Sequence, residues 1–177
     1  MLYLKLILVI VAALVIEGLF TRFWGPWRYV DLFLLVTVYF GLMRDPWQGL
    51  WVGFFSGIAG DCAPGAGPIV GVGGFSKTLI GFVVATIGVR FSLEGPLVRV
   101  AVIGLSSLVN SLLYVGLNKL MDQPLDDNLS PDSIAMRIGF ETAANLVGGV
   151  FIFWLLDRIF AEQASGGKMQ VRKRYYE

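Results

Sequence analysis

Residues 47–67 read WQGLWVGFFSGIAGDCAPGAG, an apolar run in which Gly49, Gly53 and Gly57 recur at every fourth position and Asp61 closes the series. Because an α-helix has 3.6 residues per turn, the three glycines form a stripe along one helix face. In lipid the hydrophobic effect does not drive helices together, and small residues at this spacing allow the close backbone packing that does. The stretch therefore predicts a membrane-embedded helix with one closely packed face.

The composition of the whole chain also indicates a membrane protein. Of the 177 residues, 56% are hydrophobic and only 15% are charged. A soluble domain has about 45–50% apolar and about 25% charged residues. The excess apolar surface must face lipid or another subunit, and the lipid bilayer is the leading interpretation. The length is that of a single domain.

Six apolar segments are predicted to cross the bilayer, which takes about 20 residues per helix. They are residues 2–20, 30–43, 47–62, 69–91, 96–120 and 134–160. Long continuous runs with small residues at helical spacing favour helices over the short alternating strands of a membrane β-barrel. The predicted fold is an all-α polytopic integral membrane protein, with a six-helix transmembrane domain over residues 1–163 and a basic cytoplasmic tail over residues 164–177.

The distribution of Lys and Arg predicts the orientation, because these residues are in excess on the cytoplasmic side. With an inside N-terminus, the inner segments carry Lys5, Arg44, Arg90, Arg99, Arg158, Lys168, Arg172, Lys173 and Arg174. The outer segments carry the smaller set Arg22, Arg28, Lys119 and Arg137. We therefore expect both termini to be cytoplasmic and the acidic loop MDQPLDDNLSPDS to face outward.

The residue inventory excludes several kinds of chemistry. The chain has no histidine, and Cys62 is the only cysteine. An intrachain disulfide, a histidine general base and a metal site built from His or several Cys are therefore ruled out. The net charge of +1 argues against a nucleic-acid partner. Tryptophans near the span ends indicate an aromatic belt and no cofactor, at Trp24, Trp27, Trp47, Trp51 and Trp154.

Ionisable residues inside the predicted spans are candidates for function, because a charge at the bilayer centre costs about 2.5–3.5 kcal/mol. Lys77 and Glu141 are predicted at similar depth in the outer half, so we expect them to pair or to share a polar cavity. Glu17 and Asp61 are predicted to lie in the same half. For these two residues, plain solvation by water at the membrane interface is the alternative to a functional role. Asn110 and Asn145 are predicted to hydrogen-bond between helices.

The small-residue rows admit two interpretations. The glycine stripe, and a second row at Ala135, Gly139 and Ala143, could each be a packing seam within the chain. Alternatively, one of them receives a transmembrane helix from a partner protein. A partner helix on the glycine stripe would also provide an interaction partner for Asp61. The sequence leaves both interpretations open.

Residues 31–85 carry an ordered set of features that resembles the rod shape-determining protein MreD family. An aspartate precedes a leucine-rich helix with a Gly-Leu ending, and a hairpin leads to a glycine helix with a terminal aspartate and a glycine-bearing loop. These features stand here at Asp31-Leu32, at Gly41-Leu42, at Gly49, Gly53, Phe54, Gly57 and Asp61, and at residues 65–74.

The resemblance implies a non-enzymatic, multi-pass component of the bacterial cytoplasmic membrane that regulates cell shape. Members of the family work in the cell-elongation machinery that builds peptidoglycan. The implied partners are MreC, a single-span protein with an extracytoplasmic domain, the MreB filament, and the glycosyltransferase and penicillin-binding transpeptidase that synthesise the wall. The resemblance implies no cofactor.

The same helical plan is similar to the S components of energy-coupling-factor vitamin transporters, which supply the main alternative. Those proteins bind a vitamin in the outer half and often carry an A-x3-A patch on the first helix. Here Ala12 and Ala13 are adjacent and neither has an alanine four residues on, so the patch is absent. A membrane enzyme that uses Glu17, Asp61, Lys77 and Glu141 is a third class, although no nucleophile–base pair is visible.

Overall fold

The computed structural model describes residues 2–23, 29–43, 45–63, 69–91, 95–121 and 131–160. Their long elements are all α-helices: α1 Leu2–Phe23, α2 Leu32–Gly41, α3 Pro46–Asp61, α4 Val72–Arg90, α5 Pro96–Leu120 and α6 Pro131–Ile159. The all-α prediction is confirmed for these ranges, which contain no strand. The predicted tail over residues 164–177, Trp24 and Trp27 lie outside the described residues.

Within the described ranges, three helices are long and apolar enough to cross a membrane, judged by length and composition. They are α4, α5 and the Ser133–Ile159 part of α6. The prediction of a membrane protein is confirmed at this level. The second predicted span, residues 30–43, is different, because its helix α2 has only 10 residues. At 1.5 Å per residue such a helix is about 15 Å long, half of a hydrocarbon core of about 30 Å.

The short helix α2 forms the centre of the bundle. All ten of its residues are buried, and it packs against each of the other five helices. The backbone N–H of Asp31, just before α2, donates to Asn145 in the middle of α6 (2.8 Å). Tyr39 near the other end bonds to Asp157, in the last turn of α6. The helix therefore runs alongside one half of α6 as a core element, where its neighbours cover its apolar side chains on every side.

Helix ends follow from short local signals in the sequence. Asp31 precedes α2, and its Oδ1 accepts a hydrogen bond from the Leu34 N–H at 2.8 Å. Asp45 caps α3 in the same way, accepting from the N–H groups of Trp47 (3.1 Å) and Gln48 (3.2 Å). Both aspartates satisfy backbone donors that the first helical turn leaves without partners. The two caps set where α2 and α3 begin.

The glycine stripe of α3 packs directly on the backbone of α4. A Cβ atom on Gly49 would lie 2.5 Å from the Gly81 carbonyl oxygen. Cβ atoms on Gly53 and Gly57 would overlap the backbone of α4 one turn further along in each case, at Lys77 and Gly73. The stripe is therefore a packing seam within the chain. The alternative interpretation, a partner helix on this stripe, is wrong, because α4 already occupies the face.

The other small-residue positions behave in two different ways. Gly41 belongs to a close approach of α2 and α4, where an added Cβ would lie 3.1 Å from Val84 Cγ1 and 3.3 Å from the Gly81 carbonyl oxygen. The row Ala135, Gly139 and Ala143 on α6 is exposed. A Cβ on Gly139 would meet nothing within 4 Å. This second row is open to lipid or to another protein.

Candidate functional site

Asp31 is the centre of a polar cluster inside the helical bundle. Its Oδ2 lies 2.9 Å from Lys77 Nζ, and the two side chains are 26% and 8% exposed, respectively. Asn110 Nδ2 donates to the same oxygen at 3.4 Å. Since Asp31 also caps α2 through Oδ1 and bonds to Asn145 through its backbone, one residue ties α2 to α4, α5 and α6.

Two serines complete this network through the asparagine side chains. Ser76 Oγ donates to Asn110 Oδ1 (3.1 Å), and Asn145 Nδ2 donates to Ser107 Oγ (2.9 Å). We call this set the Asp31 cluster, with members Asp31, Ser76, Lys77, Ser107, Asn110 and Asn145. Its buried donors and acceptors bond to one another, which removes the large cost of leaving polar groups without partners in an apolar interior. The predicted role of the two asparagines in hydrogen bonding between helices is confirmed.

The predicted direct pair of Lys77 and Glu141 does not form. Glu141 Oε1 accepts from Arg137 Nε (2.9 Å), and its Oε2 accepts from Ser111 Oγ (2.8 Å). Lys77 pairs with Asp31 instead, a residue that sequence reasoning treated only as part of a family motif. The length of residues 30–43 could have indicated this pairing. An apolar segment this short does not reach across the whole hydrocarbon core, so if one end lies at the membrane surface, the other end lies inside the bilayer. Asp31, at its start, then reaches the depth of Lys77.

Glu17 on α1 and Glu141 on α6 flank the Asp31 cluster. Glu17 of α1 is half-buried and interacts electrostatically with both Asp31 and Lys77. Glu141 is one helical turn from Asn145 on α6. Two of the residues predicted to form an intramembrane polar cluster, Glu17 and Lys77, therefore interact. The third, Glu141, belongs to a neighbouring pair with Arg137.

Asp61 holds the start of α4 from the end of α3. Its Oδ2 accepts from the N–H groups of Gly71 (2.6 Å) and Gly74 (3.2 Å), and its Oδ1 accepts from Gly73 N–H (3.1 Å). Gly71 has φ +111°, a left-handed conformation that side chains other than glycine rarely adopt. A carboxylate at a helix N-terminus is also favoured by the helix dipole. Asp61 is thus bonded within its own α3–α4 unit.

Asp61→Ala is expected to lower the free energy of unfolding by about 1.5–3 kcal/mol, because three backbone N–H groups lose a charged acceptor. Asp61→Asn, which keeps one acceptor oxygen, should cost less. Thermal unfolding of the purified variants in detergent measures both changes. Asp45→Ala is a comparison cap at an exposed helix start. A smaller effect at Asp61 than at Asp45 would contradict the structural role assigned to Asp61.

A second polar group lies at the other end of α2. Tyr39 Oη donates to Asp157 Oδ1 (3.1 Å), and Asp157 Oδ2 pairs with Arg99 Nη1 (2.7 Å). The Tyr39 ring packs edge-on against Phe40 and Phe153. We call Tyr39, Arg99 and Asp157 the Tyr39 cluster. Both ends of the buried helix are thus held by polar contacts.

The described residues of this region supply an ion pair and hydrogen-bonding side chains. No group of three or more His, Cys, Asp or Glu residues that could hold a metal ion occurs among the described residues. The hydroxyls of Ser76 and Ser107 contact asparagine amides, whereas the Ser111 hydroxyl donates to the Glu141 carboxylate. The asparagines and the ion pair hold four helices in fixed positions.

The fold defines the class as an all-helical protein with helices able to cross a membrane. Comparisons with protein families, with curated proteins and with solved structures find no match to this chain.

Proposed function

We propose that this protein is a non-enzymatic, multi-pass scaffold of the bacterial cytoplasmic membrane, of the MreD type. In this role it regulates cell shape by binding MreC through its transmembrane region, within the machinery that elongates the peptidoglycan wall. MreB and the glycosyltransferase and penicillin-binding protein pair are the further proposed partners. In the proposed topology the chain crosses the membrane six times, with α2 filling only about half of the second crossing, and both termini are cytoplasmic.

The observation that carries this proposal is the structural use of the motif residues. Asp31 begins α2 and binds Lys77, while Gly41 lies where α2 approaches α4. The stripe glycines form the α3–α4 seam, and Asp61 caps α4. The features that resemble the MreD family thus form one packing unit, α2–α3–α4. This shared location supports the resemblance, because motif residues that occurred by chance would not need to contact one another within a single packing unit.

The relative directions of the helices in the proposed topology are supported by which helix ends lie together. The Tyr39 cluster joins the end of α2 to the start of α5 and the end of α6. Exposed tryptophans at positions 47, 51 and 154 lie in the first turns of α3 and the last turns of α6, at this same end of the bundle. Tryptophan at a membrane interface is typical of an aromatic belt. In the proposed topology this end is cytoplasmic.

The row Ala135, Gly139 and Ala143 is the proposed contact surface for the single span of MreC. The glycine stripe is filled by α4, whereas a Cβ on Gly139 meets nothing within 4 Å. An exposed row of small residues lets a second backbone approach, which is how helices associate in lipid. Large exposed apolar side chains surround the row on the same helix, including Met136, Phe140 and Val147.

A detergent pull-down of the tagged protein from its native membrane, followed by mass spectrometry, tests the function. We expect a single-span partner and wall synthases with the wild type and a reduced yield of the partner with Gly139→Leu. Gly116→Leu is the matched control, since position 116 on α5 is also open. Equal recovery from all three proteins would show that the α6 row is not the contact surface. Absence of wall proteins would contradict the scaffold function.

An S component of a vitamin transporter is the alternative that the same pull-down separates. It is favoured by the Asp31 cluster, because Asp31 is partly exposed and Glu17 adds a second carboxylate that interacts electrostatically with it. Polar groups converging in an otherwise apolar bundle are typical of small-molecule sites. A co-purifying vitamin, or co-purifying ATPases with a transport subunit, would establish this alternative in place of the scaffold.

A further inference from the structure

The buried helix α2 is held by polar contacts at both of its ends. At one end, Asp31 bonds to Lys77, Asn110 and Asn145. At the other end, Tyr39 bonds to Asp157, which pairs with Arg99. The two points of attachment are eight residues apart, which corresponds to about 12 Å along a helix. Both clusters include residues of α5 and α6, so α2 connects two separate places on the same pair of helices.

The rest of α2 favours movement as one rigid body. Its intervening side chains are buried and mostly apolar, so they hold it by packing without directional bonds. The exception is Thr37, which bonds to Ser56 of α3 (2.6 Å) and to the Phe33 carbonyl (2.8 Å). Packed elements of this kind move between discrete arrangements and do not deform continuously. A displacement of the Asp31 end would therefore also move the Tyr39 end.

We propose that α2 is a coupling element that transmits a change at the Asp31 cluster to the Tyr39 cluster at the other end of this helix. The Asp31 end can receive such a change, because Asp31 is 26% exposed and Glu17 of α1 interacts with its ion pair. The Tyr39 end can report it, because Arg99 and Asp157 are 40% and 42% exposed. The inference goes beyond scaffolding and does not depend on which partner binds.

A double-mutant cycle tests the proposal, because sites more than about 7–10 Å apart normally act additively. Lys77→Met removes the ion pair and leaves the Asp31 cap of α2 in place. Tyr39→Phe removes only the hydroxyl that bonds to Asp157. If α2 moves as one body, releasing one end also weakens the other. The fall in melting temperature of the combined variant should then be clearly smaller than the sum of the two separate falls.

Thr86→Val is the matched control for the cycle. Thr86 lies on α4, like Lys77, but its hydroxyl bonds to the Phe82 carbonyl within its own helix. Combined with Lys77→Met, it should give additive falls in melting temperature. If the ion-pair variant does not accumulate in folded form, Asn145→Ala replaces it, since this change removes the acceptor of the Asp31 N–H without altering a charge.

A chemical reporter provides a second measurement that a purely local role would not affect. Met43 lies just beyond α2 at the Tyr39 end and is half-buried. In a Cys62→Ser background, a Met43→Cys variant is labelled with a maleimide in detergent. Lys77→Met should raise its labelling rate severalfold, whereas Thr86→Val should not. Additive melting temperatures in the cycle, or a labelling rate that the Asp31-end changes leave unaltered, would overturn the proposal.

Discussion

Gly53→Leu is expected to abolish folding of the helical bundle. The atoms nearest to an added Cβ at this position are the Lys77 carbonyl and the Thr78 Cα, which lies at 2.8 Å. Both belong to the backbone of α4, so no side-chain rotation can relieve the overlap. Ordinary overpacking costs about 1–3 kcal/mol. Here α3 and α4 must separate along the seam, so Gly53→Ala should already reach the upper end of that range and leucine should exceed it.

The matched control for this prediction is Gly139→Leu. It makes the same chemical change on a membrane-length helix, but position 139 is open and has no atom within 4 Å of an added Cβ. We expect Gly139→Leu to remain a monodisperse species in size-exclusion chromatography, with an unchanged melting temperature. Gly53→Leu should be aggregated or absent. A monodisperse Gly53→Leu protein with the melting temperature of the wild type would contradict the packing seam.

Lys77→Met should be nearly as damaging, because it leaves the Asp31 carboxylate without its ion-pair partner inside the bundle. Removing one member of a buried pair costs about 3–5 kcal/mol. Replacing both members is often close to neutral, since no uncompensated charge remains. The double change Asp31→Asn with Lys77→Met should therefore recover much of the stability that the single change loses. Asparagine at position 31 still caps α2.

Thermal unfolding in detergent of the wild type, Lys77→Met and the double variant measures this effect. Arg137→Met is the control for loss of a basic residue, because Arg137 pairs with Glu141 at an exposed i,i+4 position. Exposed helix pairs of this kind contribute only about 0.3–0.5 kcal/mol. A double variant as unstable as Lys77→Met alone would show that the charge on Asp31 is not the reason for the loss.

The fold class and the close-packed face of α3 could be predicted from the sequence. The composition indicates a membrane protein. The spacing of four residues between Gly49, Gly53 and Gly57 places them on one helix face, whatever packs on that face. The identity of the packing element could not be predicted, because a helix of the same chain and a helix of a partner need the same small residues. In the structure, α4 packs on the glycine stripe, whereas a Cβ added at Gly139 would meet nothing within 4 Å.

The polar site was predicted only in part, and α2 is the reason. The chemistry of Lys77 and its need for a carboxylate partner follow from the sequence alone, because a charge in an apolar interior must be neutralised. Depth along the predicted helices selected Glu141 as the partner. Asp31 took that place because α2 is too short to cross and starts beside the middle of α6.

The sequence by itself determined which residues need a close neighbour or an opposite charge. Each of these needs can be read from a local stretch of sequence. Regularly spaced glycines need a closely packed neighbour, an apolar helix needs an apolar environment, and a lysine within an apolar segment needs an opposite charge. Only the tertiary structure decided which neighbour meets each requirement: α4 for the stripe, Asp31 for Lys77, and the backbone N–H groups of α4 for Asp61. Apolar residues buried among other helices and apolar residues facing lipid read alike in the sequence, because both avoid water. The central position of α2 therefore emerges only when the six helices pack together.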